Sequence, residues 1–154
     1  MTAQPERRLV ALDATVIINL IDMDQLGILP KLREFDFWVP NHVKDEVHRR
    51  KQRLHLRKAL RAEWIAELEV VDLAEIELYA EYRSRFGQGE SACMAVARTR
   101  GWIVASDDRA VKRDVTRALG AERLLDTKGL LQAAVTAGIV EQKDFDKICD
   151  SFGL

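Results

Sequence analysis

The sequence predicts an α/β protein of three layers, α/β/α, with helices covering both faces of a mostly parallel central sheet of four to five strands. Three observations carry this. Leu9-Val10-Ala11-Leu12 and Trp102-Ile103-Val104-Ala105 are short unbroken apolar runs, the pattern of strands buried on both faces. Stretches with helical spacing alternate with strand candidates, the signature of βαβ units. Both apolar runs end in acids, Asp13 and the pair Asp107-Asp108. The carboxyl ends of such strands are where open α/β sheets bind their ligands.

Taken in order, Thr15–Leu20 reads as a short helix after the first strand. Met23–Leu32 reads as a second helix, disturbed at its end by Pro30. Phe37-Trp38-Val39 is a strand closed by Pro40, and Asn41 suits the N-cap of the helix that follows. That helix is expected to run from about His42 through a basic stretch to about Leu68, with one break around Arg53–Arg57. Val70-Val71 is a short strand candidate. Ala74–Phe86 is helical, with Ile76, Leu78, Tyr79 and Tyr82 as its apolar positions. Gly87-Gln88-Gly89 reads as a turn before a helix, Glu90–Ala97, so rich in small residues that it packs closely on the sheet. After the 102–105 strand come a helix at Arg109–Leu119 stopped by Gly120, a strand at Leu124-Leu125, a helix at Thr127–Ala137 ended by Gly138, and an amphipathic helix at Glu141–Phe152.

The length of 154 residues is that of one domain, 1–154, and it suffices for a proper core. With 47% hydrophobic and 32% charged residues the composition is that of an ordinary globular protein. No apolar run nears the roughly 20 residues that span a bilayer. Met1–Arg8 lacks the apolar core and cleavage site of a signal peptide. The expectation is a cytoplasmic protein with no membrane partner. Cys93 and Cys149 lie far apart without ligand spacing, so they read as small core residues rather than a disulfide. His42, His48 and His55 form no zinc pattern with them.

The chemistry lies in the acids. Asp13 and Asp107-Asp108 follow the two most apolar strands, Glu90 opens a helix behind two glycines, and Asp45-Glu46 sits early in the helix after Pro40. Singly, each has a plain explanation: acids in a first helical turn complement the helix dipole, and Asp107 or Asp108 suits an N-cap. Together they suggest a cluster. If the first strand and the 102–105 strand are neighbours, Asp13 and Asp107/Asp108 stand side by side at the switch point. Clustered carboxylates repel unless a cation holds them, and an all-oxygen site suits Mg²⁺ or Mn²⁺. Such a site generates a nucleophilic water and stabilises charge on a phosphoryl oxygen. The chain has no P-loop, dinucleotide glycine pattern or Ser-His-Asp order. Metal-assisted hydrolysis is the chemistry left to it.

These residues resemble the PIN-domain ribonucleases. The likeness is carried by Leu12-Asp13-Ala14-Thr15-Val16-Ile17-Ile18-Asn19-Leu20, then Val39-Pro40-Asn41-His42-Val43-Lys44-Asp45-Glu46-Val47, then Gly87-Gln88-Gly89-Glu90-Ser91-Ala92, then Val104-Ala105-Ser106-Asp107-Asp108-Arg109. It covers nearly the whole chain, and the order of the motifs makes it specific. It is similar above all to small prokaryotic PIN proteins, including toxins of toxin–antitoxin pairs. The resemblance implies a PIN-like fold and an endoribonuclease using Mg²⁺ or Mn²⁺. It implies a metal-binding acidic site of Asp13, Glu46, Glu90 and Asp108, with Thr15 and Ser106 as supporting hydroxyls. Asp45 and Glu46 would lie about 100° apart on a helix, so one points inward, and the family pattern favours Glu46. Between Asp107 and Asp108 the choice stays open: Ser-x-Asp spacing selects Asp108, while Asp107 is nearer the strand end. Many family members carry a further acid where this chain has Ala110.

Basic residues crowd one stretch. From Lys44 to Arg61 the chain carries Arg49, Arg50, Lys51, Arg53 and Arg57 among others, against only Asp45 and Glu46. A basic helix starting at the acidic site would track an RNA backbone towards it, with Arg109 and its neighbours Lys112, Arg113 and Arg117 as a second edge. Aromatics are not interleaved with these residues, so base stacking is not expected. Trp38 and Trp102 read as core. Trp64, with Leu60, Ile65 and Leu68, makes an apolar face that is either core or the contact of a homodimer. The expected partners are RNA, a second copy and, by the resemblance, a cognate antitoxin. Two alternatives remain: a catalytically silent RNA- or partner-binding module on the same fold, and a haloacid-dehalogenase-like phosphatase. The phosphatase needs an acid two residues after its nucleophile, where this chain has Thr15.

Overall fold

The computed structural model describes residues 6–154. The reading of Met1–Pro5 as leader-free, and their place in a single domain, lie outside those residues. The first apolar run forms strand β1 (Arg8–Leu12), whose Val10, Ala11 and Leu12 are fully buried. Asp13 N-caps helix α1 (Ala14–Asp22), and a 3₁₀ turn at Leu26–Lys31 follows. Met23–Leu32 is therefore no α-helix: Pro30 cannot donate within it, and Asp24 takes a left-handed φ of 56°. Strand β2 (Phe35–Pro40) pairs parallel with β1, Ala11 opposite Trp38.

The stretch after β2 departs most from expectation. In place of one helix to Leu68 there are α2 (Asn41–Lys44) and α3 (Arg50–Arg61), broken at 45–49. The break lets Val43 and Val47 both return to the core while α3 turns Gln52, Leu56 and Ala59 inward, with Gln52 Nε2 donating to Asp22 Oδ1 at 3.1 Å. Pro40, not Asn41, occupies the cap position, and Asn41 Oδ1 accepts from the next amide instead. Helix α3 stops where Glu63 takes φ 61°, with no glycine or proline to announce it. The chain then enters strand β3 (Ala66–Leu68), paired with β2 through Pro40 and Leu68. The strand is thus 66–68 and not Val70-Val71, whose Val71 is 67% exposed.

Helix α4 (Leu73–Tyr82) leads through a turn to α5 (Gln88–Arg100), which begins earlier than the glycines suggested. Its Ala92, Cys93, Ala95, Val96 and Ala97 are wholly buried, and these small side chains let it lie on β1, β2 and the next strand, β4 (Ile103–Ala105). Gly101, at φ 75°, ends α5 in the left-handed conformation that glycine adopts without cost. Helix α6 (Arg109–Leu119), strand β5 (Leu124–Leu125), helix α7 (Thr127–Thr136) and helix α8 (Gln142–Phe152) complete the chain.

The sheet is five-stranded and entirely parallel, in the order β3-β2-β1-β4-β5. Helices α1, α3 and α7 pack together, and α2, α4 and α6 pack around α5. The result is the expected three-layer α/β/α fold. The strand order reverses between β1 and β4, so the switch-point crevice opens at Asp13 and Ser106. Among the described residues no helix is long and apolar enough to cross a membrane. Cys93 and Cys149 are free thiols. Trp102 is 9% exposed and Trp38, half-buried, packs against it with ring centroids 5.6 Å apart.

Candidate active site

Asp13 continues β1 beyond its last residue, its N–H donating to Ala105 O at 2.9 Å, so its side chain enters the crevice between β1 and β4. The carboxylate is 1% exposed. Oδ1 accepts from the Ala14 amide at 2.8 Å, and Oδ2 accepts from Thr15 Oγ1 at 3.0 Å and Ser106 Oγ at 2.9 Å. Both hydroxyls are adaptors. Thr15 Oγ1 accepts from the Asp107 amide and Ser106 Oγ from the Asp108 amide, so the backbone after β4 is polarised onto Asp13 through them. Burial pushes the Asp13 carboxyl above its ordinary range, opposed by the hydrogen bonds from Ser106, Thr15 and Ala14, while nearby Glu46 raises it further.

Three more carboxylates come to this place from three other elements. Glu46 lies in the turn after α2, and its Oε1 accepts from the Gly89 amide at 2.8 Å. Glu90, in the first turn of α5, accepts from the Gly87 amide through Oε2 at 3.2 Å. Asp108 N-caps α6, its Oδ1 accepting from the Val111 amide at 3.0 Å. Burial raises Glu90 as well, and the charges of Asp108, Asp13 and Glu46 push it the same way. The plain capping roles and the clustering thus coexist. Glu46, Glu90 and Asp108 each anchor one oxygen on a backbone amide and leave the other without a hydrogen bond among the described residues.

Asp107 and Asp45 stand apart. Asp107 Oδ1 accepts from the Thr127 amide at 2.8 Å, while Oδ2 takes the Thr127 hydroxyl and Asn19 Nδ2. It ties the end of β4 to α1 and to the start of α7. Asp45 is exposed, because the chain has already left the helix, and only Glu46 reaches Gly89. Asn19 and Thr127 are not foreseen from the sequence; Asn19 sits in the first of the four motifs, but nothing local links either residue to Asp107. The basic residues are not arranged as expected either. Arg49, Arg50, Lys51, Arg53 and Arg57 belong to α3 or its cap, a helix separate from the one bordering the site, and Arg109 is exposed at the start of α6.

The donor set fits a hard divalent cation: four carboxylates, two hydroxyls nearby and no sulfur or imidazole among them. Among the described residues no group of three or more Asp, Glu, His or Cys side chains is placed so that it could hold a metal ion between them. Mg²⁺ does not need one, since it keeps several waters and is held by one or two carboxylates plus phosphate oxygens. Cys93, buried beneath the cluster, is pushed well up by burial and by Asp13, Glu46 and Glu90, so it stays a thiol and no ligand.

Two substitutions separate these roles. Asp107→Ala strands the Thr127 amide and the Asn19 side chain, and is expected to cost about 2 kcal/mol. That lowers the melting temperature by ~4–8 °C for a chain of this size. Asp108→Asn keeps the α6 cap and should move the melting temperature by less than ~2 °C while weakening Mn²⁺ binding. Thermal melts with and without Mn²⁺ check both. Gly89 is the second test point. A Cβ there would stand 2.8 Å from Glu46 Oε2 and 2.9 Å from Val43 Cγ2. Gly89→Ala should therefore displace Glu46 and destabilise the fold by about 1–3 kcal/mol. Calorimetric titration with Mn²⁺ should show weaker binding; unchanged affinity would remove Glu46 from the ligand set.

A sequence profile of the PIN domain matches residues 9–151, nearly the whole chain. No curated protein matches the chain. PIN domains are generally nucleases and generally use divalent metals. With the parallel sheet, the switch-point acids and this match in hand, the chain belongs to the PIN-domain family.

Proposed function

We propose that the protein is a divalent-metal-dependent endoribonuclease, hydrolysing RNA phosphodiesters at the cluster of Asp13, Glu46, Glu90 and Asp108. The observation that supports this best is that Glu46, Glu90 and Asp108 each leave one oxygen without a hydrogen bond among the described residues and lie near enough to the buried Asp13 for their charges to act on one another. Bound there, Mg²⁺ or Mn²⁺ would supply a nucleophilic water near neutral pH and neutralise charge on the phosphoryl oxygens. The chain's own residues hold and orient. Thr15 and Ser106 keep Asp13 in one rotamer, and the Gly87 and Gly89 amides fix Glu90 and Glu46. The β1 and β4 strands exclude water from beneath.

RNA is favoured as substrate by charge. Helix α3 contains no acid, and Arg50, Lys51, Arg53 and Arg57 form no ion pair among the described residues. Exposed and uncompensated, they suit a phosphate backbone. An antitoxin partner rests on the likeness to toxin components, and a coding sequence for one beside this gene would support it. Ala110 favours a second reading, a silent RNA-binding module, because it stands where many relatives carry another acid.

The deciding experiment incubates purified protein with RNA and Mg²⁺ or Mn²⁺, with EDTA and Asp13→Asn as controls. Cleavage is expected only for the wild type with metal. Binding without cleavage would establish the silent module, and identical RNA profiles for wild type and Asp13→Asn would sink the nuclease.

A further inference from the structure

Beside the acids lies a second feature that the proposed reaction does not yet use. Helix α6 leaves the site at Asp108, and its residues Ala110, Arg113, Asp114 and Arg117 follow the i, i+3, i+4, i+7 spacing of one helix face. Opposite this face stands the connection between α4 and α5, with Arg85 and Phe86. Together these six residues line a cavity of about 270 Å³. Both walls start at the acid cluster. Ala110 is two residues beyond Asp108, and Phe86 precedes Gly87, whose amide holds Glu90.

The lining is three arginines against one acid. Asp114 engages Arg85 at 3.3 Å, and the Arg85 guanidinium also lies over the Phe86 ring, 5.1 Å from its centroid. Arg113 and Arg117 are exposed and have no carboxylate partner among the described residues. Placed four apart on one helix they repel each other, which does nothing for the fold. Lys112, by contrast, faces away and is spent on Asp126 at 3.0 Å. Phe86 is 9% exposed, so it floors the cleft without offering a face for base stacking. Unpaired guanidiniums around a small concavity without a stacking platform suit phosphate oxygens, which arginine meets with its planar fork.

We propose that the Arg85–Arg113–Arg117 cleft is a phosphate subsite, holding the backbone of single-stranded RNA next to the phosphate cleaved at the acid cluster. The proposal rests on the endoribonuclease reading for its substrate. The strand then passes from the acids along α6, held by charge and indifferent to base. Ala110 leaves the mouth of the cleft open and uncharged where an acid would repel the strand. Asp114 moderates the subsite by occupying Arg85.

The test is binding of a fluorescein-labelled single-stranded RNA of about 12 nucleotides in EDTA, followed by anisotropy over a salt series. Arg113→Gln/Arg117→Gln is expected to weaken binding by about tenfold. It should also flatten the slope of log K against log salt by about 1.4, some 0.7 for each phosphate no longer neutralised. Asp114→Asn frees Arg85 and should do the reverse, tightening binding and steepening the slope, an outcome that damage to the fold does not produce. Lys143→Gln/Lys147→Gln on α8 removes equal charge elsewhere and should leave the slope near the wild-type value. Wild-type binding with an unchanged Arg113/Arg117 variant overturns the subsite and leaves the nuclease reading standing. Equal losses in both double variants also overturn it, since net charge would then suffice. Failure of the wild type to bind the RNA in EDTA overturns the subsite, which holds RNA by charge without metal, while the nuclease reading stands or falls by the cleavage assay.

Discussion

Asp13→Asn is expected to abolish cleavage and, at the same time, to raise the melting temperature. The catalytic loss follows from the metal. Removing a central carboxylate forfeits about 4 kcal/mol of charge stabilisation in the transition state, a fall of ~10³-fold or more in kcat. The gain in stability follows from burial. In the fold, desolvation holds the Asp13 carboxyl above its ordinary value of 3.8. A raised carboxyl favours folding only while it is protonated: its contribution is fully present below the unfolded value and is lost as pH rises through the folded one. At neutral pH the ionised Asp13 is therefore a standing cost. Asparagine keeps the shape and still accepts from the Ala14 amide. The Thr15 and Ser106 hydroxyls, which already accept from the Asp107 and Asp108 amides, can accept from its NH₂ only by turning their own protons away, which offsets part of the gain. The expected gain at pH 7 is about 1 kcal/mol, or ~2–4 °C. It should shrink as pH falls towards 3.8 and vanish below it. Added Mn²⁺ should raise the melting temperature of the wild type and not of the variant. A variant that melts lower than the wild type at pH 7 would show that the hydrogen bonds outweigh the charge.

Arg100→Ala should be the most damaging single change outside the site. Glu75 is buried, 1% exposed, and its carboxylate is gripped by Arg100 Nε at 2.6 Å and Nη2 at 2.9 Å, with the Thr99 hydroxyl at 2.7 Å. Arg100 also stacks over Trp102, its guanidinium 5.3 Å from the ring centroid. Removing the cation leaves a buried carboxylate with one hydroxyl. Because Arg100 is 32% exposed and water can reach the gap, the low end of the usual 3–5 kcal/mol is expected. About 3 kcal/mol corresponds to ~6–12 °C. The Arg100 hydrogen bond is the main reason Glu75 titrates below its ordinary 4.5. In the wild type the pair therefore contributes above that pH and its contribution is lost as pH falls through the depressed folded value. In Arg100→Ala the dependence should invert, stability improving towards acid as Glu75 takes up a proton. Adding Glu75→Gln should restore at least half of the loss by removing the buried charge. A fall of less than ~2 °C on Arg100→Ala would mean that Glu75 is hydrated in place and the pair is dispensable.

The same pair shows why parts of the chain could not be read from its letters. Of the apolar positions Ile76, Leu78, Tyr79 and Tyr82 on α4, Tyr82 is buried and Leu78 and Tyr79 pack on the core, yet Ile76 is 45% exposed and Glu75 is buried in its stead. The cause is Arg100, a partner 25 residues away that no window on α4 contains. The end of α3 was hidden for a different reason. Glu63 takes a left-handed conformation that residue type does not advertise, so the helical pattern runs on through 62–68 on paper while the chain has turned into β3. Helical phase does not separate Glu46 from Asp45, since both lie past the end of α2; what distinguishes them is that Glu46 accepts from the Gly89 amide while Asp45 is exposed.

The layers and the parallel sheet were legible from the chain alone, because doubly buried strands must be apolar throughout; that β1 and β4 are neighbours was only a condition there, and the sheet order supplied it. Asp13, Glu90 and Asp108 stood out as acids at strand ends and helix starts, where capping accounts for each singly and only their coming together suggests more. What packing had to supply was the assignment of oxygens. Asp107 and Asp108 are adjacent letters of one type, yet one is consumed by Asn19 and Thr127 while the other caps α6 and keeps an oxygen free. A carboxylate's role depends on which donors surround it in space. Those donors come from elements 88 and 20 residues distant, brought together only when the sheet closes.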